Sequence, residues 1–256
     1  MVRDLLVRGM LVGILAGLLS FGFLKFYGEP MVDRAIAFEA QMDEARDKAE
    51  MAKGMAMPAE EPELVSRATQ AGWGLLTGVM VYCTAFGGLF AITFALTYGR
   101  FGGTASPRTA AALVALTGFI AIYLVPDLKY PANPPSVGNP DTITLRTELY
   151  FGMILISLVS MIFAARLRAG LIARWGAWNA TLIVSAAYLA IVIIAGYMLP
   201  VIDEVPDAFP AVVLWKFRIA SLGAQALMWG TLGLVFGALV QRFVPAPRIT
   251  TRLATH

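Results

Sequence analysis

The chain has very few of the side chains that hold transition metals or carry out nucleophilic catalysis. Its one histidine is the last residue, His256, and its one cysteine, Cys83, lies inside an apolar run. A single thiol excludes an intrachain disulfide, and the two residues together exclude an imidazole or thiolate cluster within this chain. A Ser–His–Asp or Cys–His constellation in the apolar runs is excluded too. The sequence has no Gly-rich loop followed by Lys-Ser or Lys-Thr, which is the pattern that binds nucleotide phosphates. The sequence therefore predicts a protein that is not an enzyme and has no bound cofactor of its own.

Charged residues are also scarce, at 14% of 256 residues against 58% hydrophobic ones, whereas a soluble domain has about a quarter charged. The apolar residues form runs of roughly 20, long enough to cross a bilayer as helices. Six spans are predicted, at about 5–27, 72–98, 109–126, 148–166, 176–199 and 217–241. The predicted fold class is an all-α membrane protein with six transmembrane helices. They form a single domain over 1–243, which a cytoplasmic tail at 244–256 follows.

The few charges are sorted between the two sides of this predicted membrane. One side has ten arginines and a single acid, Asp4, whereas the other has sixteen of the seventeen acids and the remaining ten cations. Short Arg-rich segments stay in the cytoplasm, so both termini are predicted to be cytoplasmic, in a bacterial inner membrane. The first span is too long for a signal peptide and is expected to be a retained anchor. The sequence has no basic patch with interleaved aromatic residues, which is the pattern typical of nucleic-acid binding.

The acid-rich outer side has three polar segments. Within 28–71, an amphipathic helix is predicted from Met31 to about Lys53, with Pro30 beginning a new helix and a Pro-bearing linker following. Segments 126–147 and 200–216 are rich in proline and predict rigid outer loops. The cytoplasmic side is predicted to have only short links, at 99–108 and 167–175.

Small and polar residues inside the spans suggest helix contacts. Gly9, Gly13 and Gly17 recur at every fourth position, which lets another helix approach closely. That helix could belong to this subunit or to a second one. Gln225 in the sixth span is either a link between helices or part of a pathway lining, because polar residues in hydrocarbon face protein or water.

Oxygen-bearing side chains at the outer boundary are candidates for cation binding. Glu29 and Asp33 are four positions apart, so they could ligate a hard divalent cation or pair with Lys25 and Arg34. The full candidate metal-ligand set is Glu29, Asp33, Asp127, Asn133, Asp141, Asp203 and Glu204. The candidate charge partners are Lys129, Arg146, Lys216 and Arg218. Four methionines of the outer segment could either pack against apolar residues or bind soft Cu(I) through their thioethers. They are Met42, Met51, Met55 and Met57.

Three longer strings resemble the CbtA family. They are Gly28-Glu-Pro-x-Val-Asp-Arg-Ala-Ile-Ala-Phe-Glu39, Leu124-Val-Pro-x-Leu-Lys-Tyr-Pro-Ala-Asn-Pro-Pro135 and Leu214-Trp-Lys-Phe-Arg-x-Ala-Ser-Leu-Gly223. The resemblance extends from the first span to about Arg242. It implies a multi-spanning inner-membrane subunit that takes up Co²⁺ for cobalamin synthesis. It also implies a partner, the small His-rich membrane protein CbtB, which could supply the imidazoles that this chain lacks. The resemblance brings no set of ligand residues with it.

Two functions are therefore expected from the sequence. The first is a cobalt or divalent-metal transporter subunit that captures the ion at the outer face. The second is a membrane scaffold or assembly subunit that transports nothing and docks a larger membrane complex. Rigid outer loops and glycine-lined helix faces are compatible with both.

Overall fold

The computed structural model describes residues 2–53, 64–100, 105–135 and 137–244. Regular structure within these ranges is helical, and five helices are long and apolar enough to cross a membrane. The predicted all-α membrane class is thereby confirmed. Met55, Met57 and nearly all of the tail predicted at 244–256 lie outside the described ranges. The five helices are α1 (Val2–Ala52), α2 (Arg67–Thr97), α3 (Pro107–Lys129), α4 (Pro140–Met198) and α5 (Ala211–Val240).

The fourth helix contains two of the predicted spans, 148–166 and 176–199, and folds back on itself. Its backbone leaves the helical region at Gly176, where φ is 75° and ψ is 164°. Ser157 and Tyr188 lie within 2.8 Å through their hydroxyls, although 31 residues of straight helix would separate them by roughly 46 Å. Closer to the break at Gly176, Arg168 Nε donates a hydrogen bond to Thr181 Oγ1 at 2.7 Å. The two arms are therefore antiparallel. The short link predicted at 167–175 is itself helical, and the chain reverses at Gly176, directly after it.

The first helix is continuous for 51 residues, about 77 Å, which is more than twice the thickness of the hydrocarbon core. The predicted helix from Met31 to about Lys53 is confirmed as its second half. The predicted new start at Pro30 is wrong, because a π-helical turn at Leu24–Gly28 leads directly into Glu29–Ala52. Such a turn shifts the backbone hydrogen bonds and so accommodates a residue that has no N–H to donate.

Helices α1 and α2 pack closely against each other in antiparallel orientation. A Cβ added to Gly13 would lie 2.9 Å from the Cα of Thr84, and one added to Gly9 would lie 2.6 Å from the Cβ of Ala91. Gly87 on α2 faces both of these glycines. The glycine face of α1 therefore contacts a helix of the same chain, which confirms the first of the two expected roles.

The segments 130–135, 137–142 and 199–210 lie together at one end of the bundle, called here the loop end. A small apolar cluster holds it together. Its members are Met31, Ala35, Val137, Phe209 and Val213. This cluster brings the extension of α1, the segment after α3 and the segment before α5 side by side, and the predicted polar candidates lie around it.

The folded α4 is the least enclosed of the five helices. Of its most apolar window, 17% of the residues are buried, against 33–44% in the others. Its main packing partner is α3, through a cluster that includes Val125, Met153, Val184 and Tyr188.

Candidate functional site

At the loop end, Glu29 and Asp33 share one cation. Arg67, in the first turn of α2, donates to the Glu29 carboxylate and lies 2.9 Å from Asp33 Oδ1. Glu29 is buried and Asp33 is exposed. Ser66 caps this turn through its hydroxyl, which fixes where Arg67 begins the helix. The acids are thus ion-paired, but with Arg67 and not with the expected Lys25 and Arg34.

Lys25 has a different role. Its Nζ donates to the carbonyl oxygen of Ala71 at 2.9 Å. Lys25 lies in the π-helical turn of α1, and Ala71 lies in a second π-helical turn, Gln70–Gly74, in α2. Such turns leave backbone carbonyls without their regular partners and are common at functional sites. The ammonium group therefore satisfies a carbonyl that the π turn exposes, and it ties α1 to α2 beside the Arg67 pair.

The second group surrounds the end of α3. Asp127 accepts a hydrogen bond from the backbone N–H of Ala132 at 3.2 Å, and the Tyr123 hydroxyl acts on the same carboxylate electrostatically. Arg218 on α5 donates to the carbonyl of Ala132 at 3.2 Å and to Asn133 Oδ1 at 2.9 Å. The structure thus brings together two predicted ligands, Asp127 and Asn133, and one predicted charge partner, Arg218.

The third group is centred on Glu204, before α5. Its carboxylate accepts hydrogen bonds from the Asn139 backbone N–H at 2.8 Å and from the Thr142 hydroxyl. Arg146 Nε lies 3.4 Å away as an ion-pair partner. These hydrogen bonds, with Arg146 adding to them, lower the pKa of Glu204 below its usual value of 4.5. Gly138 has φ of 132° and lies directly against the Arg146 guanidinium, so a side chain there would strain the backbone and displace the guanidinium.

The other predicted residues of the loop end are less engaged. Asp141 and Asp203 are exposed, as is Lys216, and Lys129 lies 5.6 Å from the ring centre of Tyr130. Across the described ranges, no three His, Cys, Asp or Glu side chains come together in a group that could hold a metal ion. The candidate ligand set remains a prediction, distributed over three separate groups and two exposed carboxylates.

Polar side chains continue from the Asp127 group into the bundle. Ser221 on α5 hydrogen-bonds Tyr123 on α3 at 3.0 Å, and Gln225 on α5 donates to Tyr82 on α2 at 3.4 Å. Tyr150 on α4 interacts electrostatically with both Asp127 and Tyr82. We call these residues the polar network: Tyr82, Tyr123, Asp127, Tyr150, Arg218, Ser221 and Gln225.

Sequence reasoning identified only part of this network. It singled out Asp127, Arg218 and Gln225, but not the three tyrosines or Ser221. One signal was available, since Arg218, Ser221 and Gln225 are spaced i, i+3 and i+7 and so share one face of α5. The Gln225–Tyr82 bond joins two helices, in agreement with the first expected role of Gln225.

Comparison with known protein families shows which family this chain belongs to. A family model described as "Probable cobalt transporter subunit (CbtA)" matches residues 2–241. The chain belongs to the CbtA family. No curated protein and no solved structure matches it. As a CbtA-family chain with five long apolar helices, it is a membrane protein and a transporter subunit, and a subunit implies a partner.

Proposed function

We propose that this chain is the membrane-embedded subunit of a cobalt uptake system in the bacterial inner membrane, which supplies cobalt for cobalamin synthesis. The observation that carries the proposal is the family match over almost the whole chain, together with carboxylates gathered at one end of the bundle. The chain crosses the membrane six times, with α4 crossing twice, and both termini are in the cytoplasm. The loop end then faces outward, where the ion arrives.

Capture at this face involves oxygen ligands. The exposed carboxylates Asp141 and Asp203 meet the hydrated ion first, and the ligands of the three groups, Glu29 and Asp33, Asp127 and Asn133, and Glu204, follow. Arg67 already compensates the charge of Glu29 and Asp33, so an arriving divalent cation competes with a guanidinium for the same oxygens. A small His-rich membrane partner like CbtB contributes imidazole ligands, because the only histidine here is His256.

Cobalt accumulation in cells tests the ligand assignment. Glu29→Ala, Asp127→Ala and Glu204→Ala are each expected to lower uptake, because each removes a carboxylate from a different group. Asp43→Ala is the matched control, since Asp43 is exposed on the extension of α1, away from the three groups. Normal accumulation in all three variants would overturn the assignment.

Transport itself is tested in liposomes. Radioactive Co²⁺ should enter vesicles that contain this chain and its small partner, and less should enter vesicles that lack either protein. The rival function, a scaffold that docks a larger membrane complex, predicts stable co-purification with that complex and no metal-dependent uptake.

A further inference from the structure

We infer that the polar network is a water-accessible entry route for a hydrated divalent cation, which opens at the loop end and reaches inward as far as Gln225 and Tyr82. The inference rests on the proposed function for its cargo, but water access is a separate physical property. Gln225 lies roughly 21 Å along α5 from Ala211, so the route extends deep into a hydrocarbon core about 30 Å thick.

The cost of polar groups in lipid is the first argument. Seven polar side chains from four helices converge on this region, and a polar group without a partner in hydrocarbon costs several kcal/mol. Hydrogen bonds within the protein satisfy only some of them. Among the hydrogen bonds of the described part of the chain, none involves the Tyr150 hydroxyl. The Gln225–Tyr82 contact is long at 3.4 Å. Water would supply the hydrogen bonds that these groups lack within the protein.

The arrangement around Asp127 is the second argument. Arg218 acts electrostatically on this carboxylate, but the hydrogen bonds that it donates go to Ala132 and Asn133. Among the described residues, Asp127 makes no ion pair within 4.0 Å. An ionised carboxylate has about four acceptor positions, and the Ala132 N–H occupies one of them. Asp127 therefore keeps free oxygen lone pairs at the mouth of the route, which is the ligand type that hard divalent cations require.

A nearby apolar groove gives a contrast. It has a volume of about 290 Å³ and lies between α3 and α5, where Ala115, Phe119, Gly230 and Gly233 are among its lining residues. Its lining has no charged residue, so an ion that entered it would lose its hydration shell without compensation. The polar network, in contrast, leads from the loop end to the interior through groups that solvate an ion.

Thiol accessibility tests the route independently of cobalt uptake. In a Cys83→Ala background, Ser221→Cys and Gln225→Cys would be exposed to a charged, membrane-impermeant methanethiosulfonate from the loop-end side. Leu227→Cys is the matched control for Gln225→Cys, since it lies two residues further along α5 on an apolar surface. The network thiols should react at least about tenfold faster than the control, because the reactive thiolate forms only where water reaches the sulfur. Millimolar Co²⁺ should slow their reaction, and not that of the control.

The outcomes separate the two proposals. If Ser221→Cys and Gln225→Cys react as slowly as Leu227→Cys in a folded protein, the network is a sealed contact between helices and the route is overturned, even where cells take up cobalt. If the thiols react and Co²⁺ slows them, the route is supported. If the thiols react but cells show no cobalt uptake, water access stands and the proposed function fails. Size-exclusion profiles identical to that of the background protein exclude misfolding as the cause.

Discussion

The Ser157 hydroxyl lies 2.8 Å from the Tyr188 hydroxyl, and both side chains are buried between the two arms of α4. This hydrogen bond joins residues on opposite sides of the break at Gly176. It therefore fixes the arms against each other at a depth where water does not replace either partner.

Removing one hydroxyl of this pair should destabilise the folded protein. Tyr188→Phe is expected to cost about 1 kcal/mol, because Ser157 is then left without its partner in an apolar setting. Thermal unfolding in mild detergent measures the effect. Tyr197→Phe is the control and should change nothing, since Tyr197 is 88% exposed. Equal losses in the two variants would contradict the pairing.

A methyl group in the α1–α2 contact should separate these helices. Gly13→Ala places a Cβ against the backbone of Thr84, at 2.9 Å from its Cα, and overpacking of this kind costs about 1–3 kcal/mol. Gly22→Ala on the same helix meets nothing within 4 Å and serves as the control. The midpoint of thermal unfolding should fall for Gly13→Ala alone, and no difference between the two would show that the helices can shift freely.

Loss of Arg67 should leave a buried charge unpaired. Arg67→Gln is expected to destabilise the protein by about 3 kcal/mol, because the buried Glu29 side chain loses its ion-pair partner. Adding Glu29→Gln should recover much of that loss. Lys48→Gln, which breaks an exposed pair with Glu44, should cost only about 0.3–0.5 kcal/mol. If Glu29→Gln gave no recovery, the Arg67 effect would have another origin.

Acid should release the segment that Glu204 holds. The pKa of this carboxyl is lower in the folded protein than its usual 4.5, so its contribution to stability is fully present above pH 4.5 and is lost as the pH falls through the lowered value. The protection factor of the Asn139 amide, which donates to Glu204, reports this by hydrogen exchange. In Glu204→Gln the protection should be weaker and should not change over that range; an identical pH profile would exclude Glu204 as the cause.

The proposed orientation predicts which side of a cell reaches each end of the bundle. In a Cys83→Ala background, Asp203→Cys should react with an impermeant maleimide added outside intact spheroplasts. Arg174→Cys, beside the fold of α4 at the opposite end, should react only after lysis. The reverse pattern would place both termini outside.

The sequence could predict the helices because lipid leaves a long apolar run no other regular structure. It could predict that Gly9 and Gly13 form a contact face, since their spacing is local. The pairing of Arg67 with Glu29 could not be predicted, because 38 residues separate them and a fixed spacing along one helix found only Lys25 and Arg34. The π-helical turns were missed for a similar reason, since hydropathy does not register one extra residue in a turn. Tyr123 and Tyr150 lie in apolar runs, so the sequence alone does not indicate that they lie beside the polar face of α5.

The tight glycine seam between α1 and α2 has a mechanical consequence. Two helices whose backbones are in contact cannot slide or tilt against each other without a steric clash, so we expect α1 and α2 to move as one rigid unit. The hairpin of α4 packs mainly on α3 and is the least enclosed of the five helices. We therefore expect any rearrangement of the bundle to change the packing of α4 on α3 and to break the ion pair between Arg146 and Glu204, which ties α4 to the segment before α5.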